Sequence, residues 1–295
     1  MRGWTQPRTR RDLFRLAGAS AAGLALAACG VQGQKQAPPK PDAVADFWAK
    51  QTKHGKVVFA NWPEYMPEDK GPLERFKKDT GIAYEYKEVI QENAEFFGAA
   101  DPVLRAGQSL GYDIVVLTNG IQLQHFLELG YAIPLDHSKL PNFQANAGQK
   151  YKERPYDPGN KYTVPYTSGV TGIAYNTKYV KEDITSIEAL FDPKYKGRVG
   201  MMNDAQEIGN FGMFALGIDP EKSTEADWRK AGEKLKAQRD AGIVRKYYDQ
   251  SYIDAVAKGD VWVTMAWSGD VFQRQLAGEP VKFVVPAEGG TIWTD

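Results

Sequence analysis

The sequence predicts an α/β protein of two lobes, and three observations carry that prediction. From Lys56 onward, strand-like apolar runs alternate with helix-like segments, the pattern of sheets flanked by helices. The alternation falls into two series separated by the extended, proline-marked run Thr163-Val164-Pro165-Tyr166-Thr167-Ser168-Gly169, which reads as a crossing between lobes. The chain has 295 residues, 42% of them hydrophobic, enough for two cores at about 100 to 200 residues per domain.

The chain begins with an address. Arg2, Arg8, Arg10, Arg11 and Arg15 stand against one acid, Asp12, and residues 16–28 are an unbroken run of small and apolar side chains. A basic start and an apolar middle make residues 1–28 a signal peptide, and the run is too short to cross a hydrocarbon core that needs about 20 residues. Thr9 to Arg15 is similar to a twin-arginine export signal; an ordinary secretory signal with adjacent arginines is the alternative. Leu26-Ala27-Ala28-Cys29 resembles a bacterial lipobox, which implies that Cys29 is acylated and holds the protein on a membrane, each buried methylene contributing about 0.8 kcal/mol. Residues 29–55 form the tether. Gly30 to Asp42 is rich in Gln, Pro, Gly and Lys, and Val44, Phe47 and Trp48 at helical spacing predict a short helix against the first lobe.

The first lobe, residues 56–165, is expected to hold strands over 56–61, 82–89 and 112–117. Helices alternate with them over 67–80, 93–106 and 120–129, with Gly81 and Gly130 as left-handed stops. The second, residues 166–290, is expected to hold strands over 172–176, 198–202, 244–248, 261–267 and 281–285. Its helices are expected over 186–191, 204–216, 225–241, 251–258 and 269–277. Residues 291–295 read as a crossover back to the first lobe. The alternation of strand and helix predicts parallel sheets.

Composition excludes several functions. There are 37 basic and 37 acidic residues, so the chain is no strongly basic nucleic-acid binder. Five of those bases and one acid lie in residues 1–28, leaving 32 against 36 in the remainder, a mildly acidic domain. One cysteine excludes an internal disulfide and a cysteine-rich metal centre, and the scattered His54, His125 and His137 predict no metal site. No cofactor motif is present: no P-loop, no dinucleotide fingerprint and no nucleophile elbow.

Six short strings occur in one order: Asn61-Trp62-Pro63-Glu64-Tyr65, Tyr112-Asp113-Ile114-Val115-Val116, Val164-Pro165-Tyr166, Asp204-Ala205-Gln206-Glu207, Ala266-Trp267-Ser268-Gly269-Asp270, and Pro286 through Asp295. As an ordered set over residues 56–295 they resemble the bacterial spermidine/putrescine-binding proteins, the substrate-capturing subunits of ABC importers. The resemblance implies a two-lobed periplasmic-binding-protein fold, type II-like, with ligand in the interlobe cleft, no catalysis, a monomer, and delivery to an ABC permease. Matched by motif, Trp62, Tyr65, Trp267 and Trp293 would be the cleft walls. Glu64, Glu207, Asp270 and Asp295 would be the ammonium acceptors, with Asp204 and Thr118 as further ligand contacts. A polyamine suits such residues, because carboxylates accept ammonium hydrogen bonds and aromatic faces cover methylenes while attracting cations. The family's chain continues beyond the Trp293-Thr294-Asp295 motif, which implies that the C-terminal part of the first lobe is missing here and that this length binds weakly or folds poorly.

Other readings stand beside these. Asp204 and Glu207 have capping-box spacing ahead of a helix, Trp267 could be core, and Glu64 could be a solvated loop residue. Thr118-Asn119-Gly120 supplies a hydroxyl but no ring at Gly120, where the family often has an aromatic wall; Asn119 or Tyr166 are the substitutes. Tyr247-Tyr248 could serve a ferric ion, tryptophans with carboxylates could serve a carbohydrate, and paired carboxylates could serve glycoside hydrolysis.

Overall fold

The computed structural model describes residues 44–52 and 55–295; the expected signal peptide, Cys29 and most of the expected tether lie outside the described residues. The first lobe contains, in order, α1 (Val44–Ala49), β1 (Lys56–Asn61), α2 (Gly71–Thr80), β2 (Ala83–Glu88), α3 (Asn93–Arg105), β3 (Ile114–Val115), α4 (Ile121–Glu128) and α5 (Pro141–Asn146). The second contains β4 (Ser168–Asn176), β5 (Val199–Met202), α6 (Ala205–Phe214), α7 (Glu225–Asp240), β6 (Val244–Tyr248), α8 (Tyr252–Lys258), β7 (Val263–Trp267), α9 (Ser268–Leu276), β8 (Val281–Val284) and β9 (Thr291–Thr294).

In the first sheet β1 lies between β2 and β3, and both pairings are parallel. The third strand is shorter than the apolar run 112–117 suggests. The Asp113 carboxylate takes the N–H of Val58 at 2.7 Å, a place that a backbone carbonyl would fill in a longer ladder. Phe59, Trp62, Ile90, Leu123 and Phe126 form the core of this lobe. The helix expected from Trp48 is present, and its indole donates to the Pro134 carbonyl at 2.7 Å, fastening α1 to the lobe.

The second sheet has the order β6-β5-β7-β4-β8, with β9 also on β4. Here the expectation of parallel sheets needs correction. β5 is parallel to β6 and β7, but β4 is antiparallel to β7, β8 and β9. The reason is connectivity: the chain enters this lobe along β4 and heads back along β9, so these neighbours run in opposite directions. Residues 291–294, expected to be a simple crossover, are therefore a strand, and its end meets the first lobe, where the Asn119 N–H donates to the Thr294 carbonyl at 2.8 Å. The expected helix over 186–191 is a 3₁₀ turn at Ile187–Leu190. Ile173, Met201, Phe211, Tyr252, Val256 and Met265 make a fully buried core between sheet and helices.

One buried acid, unremarkable in the sequence, shapes the approach to the crossing. The Asp157 carboxylate accepts the backbone N–H groups of Lys161, Tyr162 and Thr163 and the Thr163 hydroxyl. It turns the chain out of the first lobe toward β4.

Candidate ligand-binding cleft

The strands of both sheets deliver their carboxyl ends to one place. Trp62 follows β1, Thr118 follows β3, Asp204 follows β5, Gln250 follows β6 and Trp267 ends β7. Open α/β sheets bind ligands at such ends, and here they enclose a cavity of about 70 Å³ between the lobes. Trp62, Tyr65, Trp267 and Trp293 line it with Thr118, Asp204 and Glu207, bringing together seven of the ten expected site residues. Asn93, Asn119, Gly120, Gln122, Gln206, Gln250, Thr291 and Ile292 complete the lining, and among these described residues there is no lysine, arginine or histidine.

The walls are held by specific contacts. Trp62 is buried, and its indole donates to the Val116 carbonyl at 3.2 Å. Trp267 meets it edge-on from the other lobe, with ring centroids 6.1 Å apart, a favoured aromatic geometry. Tyr65 stacks against Tyr166 with planes 11° apart, and the Tyr166 hydroxyl donates to the Tyr65 carbonyl. Tyr166 thus backs an existing wall and does not replace the ring absent at Gly120. Trp293 lies over the backbone of Gly169: a Cβ there would stand 2.3 Å from the ring. Only glycine lets the indole lie flat on β4.

Of the four expected acceptors, Glu207 alone lines the cavity, and Asp295 touches its lining through Tyr65. Glu207 lies on the first turn of α6. Asp204 caps that helix through its carboxylate, accepting the Glu207 N–H at 2.8 Å, but Glu207 does not return the bond as a full capping box would. Its Oε1 accepts from the Thr171 hydroxyl at 3.1 Å, and Oε2 is buried without a partner. Burial, aided by the nearby Asp204 charge, pushes its carboxyl up to about 8. Asp295 accepts the Tyr65 hydroxyl at 2.7 Å on Oδ2 while Oδ1 is buried and unpaired. Burial raises it to about 6, with Thr118 and Tyr65 pulling the other way.

Asp270 and Glu64 stand elsewhere. Asp270 is buried behind Trp267 and accepts the Tyr252 hydroxyl at 2.7 Å; that hydroxyl in turn accepts the Trp267 N–H at 2.9 Å. Burial holds Asp270 up to about 7. It positions a wall from behind and does not line the cavity. Glu64 sits in a left-handed turn, φ 61°, and faces Arg274 of α9 at 3.5 Å. Its nearest charge is therefore a protein cation. Asn119 is also occupied, its Oδ1 accepting the Thr294 N–H at 2.6 Å.

Sequence reasoning missed the amides Asn93, Gln122, Gln206 and Gln250. Gln250 lies two residues beyond β6, and that placement at a strand's carboxyl end was the available signal. Its Nε2 donates across the lobes to the Pro63 carbonyl at 3.3 Å, and its Oε1 is buried and unpaired. The tyrosine pair considered for iron does not converge, since successive strand residues face opposite sides, and Tyr248 is buried in the core of the second lobe.

Two α/β lobes with a cleft at their strand ends have the architecture of the two-lobed periplasmic binding proteins. Residues 72–295 match the family model for bacterial extracellular solute-binding proteins, and the chain belongs to that family. It is 32% identical over 272 residues to spermidine/putrescine-binding periplasmic protein 1 of Haemophilus influenzae, covering 92% of this chain and 70% of that one. The spermidine/putrescine-binding periplasmic protein of Escherichia coli is 31% identical over 240 residues, 81% of this chain and 66% of the other. Among solved structures, the TpPotD lipoprotein of Treponema pallidum superposes with a TM-score of 0.68 at 22% identity, covering 81% of this chain and 73% of the other. That likeness gives the fold.

Proposed function

We propose that this chain captures a short linear polyamine, putrescine or spermidine, outside the cytoplasmic membrane and delivers it to an ABC permease without catalysing a reaction. The observation that carries the reading is a pair of buried, unpaired carboxylate oxygens: Glu207 Oε2, on a residue lining an aromatic slot that no basic side chain lines, and Asp295 Oδ1, on the residue hydrogen-bonded to the Tyr65 wall. An unpaired buried acceptor costs about 1 to 3 kcal/mol, and an ammonium group removes that cost while the indoles cover the methylenes. Sugars would satisfy the tryptophans but bring no positive charge to the two buried carboxyl groups. The names of the relatives agree with a polyamine ligand. Asp204 and Thr118 stand within reach of the same ligand. Asp270 and Glu64 act one step back, on Trp267 and on Arg274. The lobes close because the ligand touches both, and differential affinity alone shifts such an equilibrium. Export of a monomer by its signal peptide and anchoring through acylated Cys29 belong to the same reading.

Calorimetric titration with putrescine, spermidine, ferric citrate and glucose tests it. Heat with an amine and none with the other two is expected; no heat with either amine would sink the proposal. For location, metabolic labelling with a fatty acid should mark the wild-type protein and leave Cys29→Ser unlabelled.

A further inference from the structure

Gly120 and Gln206 come from opposite lobes and meet in the slot. Gly120 precedes α4, and Gln206 is on the first turn of α6. The backbone of Gly120 is extended, φ 160°, a conformation open to any residue, so turn geometry does not call for glycine here. What a side chain would meet is Gln206: a Cβ at position 120 would lie 3.1 Å from Oε1, 3.8 Å from Cδ and 3.9 Å from Nε2. The amide therefore fills the room that the missing side chain leaves. Its Oε1 and Nε2 make no hydrogen bond with another described residue, unlike the amides of Asn119 and Gln250, and the side chain is only half-buried.

We propose that Gln206, admitted by Gly120, closes this end of the slot and makes the site selective for a short α,ω-diamine over a longer triamine. The inference rests on the polyamine reading above and adds a length limit to it. Three features support it. The cavity of about 70 Å³ is less than half of the ~150 Å³ apolar cavity that accommodates benzene, a molecule of six heavy atoms. Putrescine also has six heavy atoms, so either amine must widen the slot; spermidine, with ten, must widen it further and needs the space the amide occupies. Second, the amide contributes a directed acceptor, Oε1, suited to a terminal ammonium, and a polar face that is poorly matched to methylenes passing beyond it. Third, Gln206 rides on the same helical turn as Glu207, so the acceptor and the stop are held at a fixed separation.

Calorimetric titration of the wild-type protein and of Gln206→Ala and Gly120→Ala with putrescine and spermidine tests the proposal, with thermal unfolding as a check of fold. The wild type should bind putrescine at least tenfold more tightly than spermidine. Gln206→Ala should lose most of that preference, with spermidine gaining at least fivefold, because the slot lengthens. Gly120→Ala pushes the amide further into the slot and should retain or increase the preference. Equal wild-type affinities, or an unchanged ratio in Gln206→Ala, would overturn the length limit while leaving the polyamine reading standing. Loss of both amines in the wild type would instead remove that underlying reading.

Discussion

Glu207 should turn polyamine binding into a proton-release reaction. Its carboxyl is pushed up by burial to about 8 from an ordinary 4.5, so at pH 7 roughly nine in ten sites hold a proton. An arriving ammonium requires the carboxylate and returns this group toward its ordinary range, while the ligand's own amines stay charged, as lysine does to about 10.4. Binding at pH 7 therefore releases about 0.9 proton at this residue. By linkage, affinity should rise roughly fiftyfold between pH 6 and pH 8 and flatten above pH 8. The stability of the free chain should move oppositely. The folded acid keeps its proton where the unfolded carboxyl has lost it, so this contribution is full below about pH 4.5 and is lost as pH rises through about 8. Titration with putrescine at pH 6, 7 and 8, in phosphate and in Tris, reads the protons directly from the difference in buffer ionisation heat. Asp295, raised only to about 6, contributes mainly at the acid end. Glu207→Gln isolates the larger part, because a neutral amide preserves the side-chain shape and has no proton to give. Equal heats in both buffers, with flat affinity from pH 6 to 8, would refute the reasoning.

Two further perturbations probe the support behind the walls. Tyr252→Phe leaves the Trp267 N–H and the buried Asp270 carboxylate without their shared partner, a loss of about 1 to 3 kcal/mol; thermal unfolding should fall by roughly 2 to 12 °C, and an unchanged midpoint would show that the hydroxyl is not a structural link. Gly169→Ala places a methyl group inside the Trp293 ring, an overpacking of about 1 to 3 kcal/mol. Putrescine affinity should drop at least tenfold with weaker Trp293 fluorescence change on binding, and retained affinity would mean that this indole is not a wall.

The periodic parts of the fold were legible because burial dictates residue type there. Val244-Arg245-Lys246-Tyr247-Tyr248 and Lys56 to Asn61 form strands at the expected positions, and Gly81, with φ 72°, ends α2 as its left-handed preference demands. Direction was not legible in the same way. Nothing local to β4 distinguishes a strand paired parallel from one paired antiparallel; its direction is set by the chain path, which runs β4 opposite to β7, β8 and β9 alike. The 3₁₀ turn at Ile187–Leu190 is indistinguishable from a helix in sequence, because Ile187 and Leu190 three residues apart fit either period over so short a run.

The site divides along a similar line. Tryptophan is rare and large, so a ring placed after a strand announces itself, and Trp62 and Trp267 could be named from their positions. A carboxylate carries no such mark: Asp204, Glu207, Asp270 and Glu64 have the same chemistry in sequence, and what separates them is the nearest neighbour in space. Glu207 finds only Thr171 and an empty side, Asp270 finds Tyr252, and Glu64 finds Arg274. The partner determines the role. A buried acid with one oxygen left unpaired, as in Glu207 and in Asp295 beside its Tyr65 bond, is ready for a cation, whereas Asp270, bonded by Tyr252 behind Trp267, holds a wall in place. Gln206 is the extreme case, because its meaning comes from an atom that is absent, the Cβ of Gly120. A residue that works by filling a neighbour's vacancy leaves its signal at the neighbour, and in this chain that signal is a glycine in extended backbone that no turn requires.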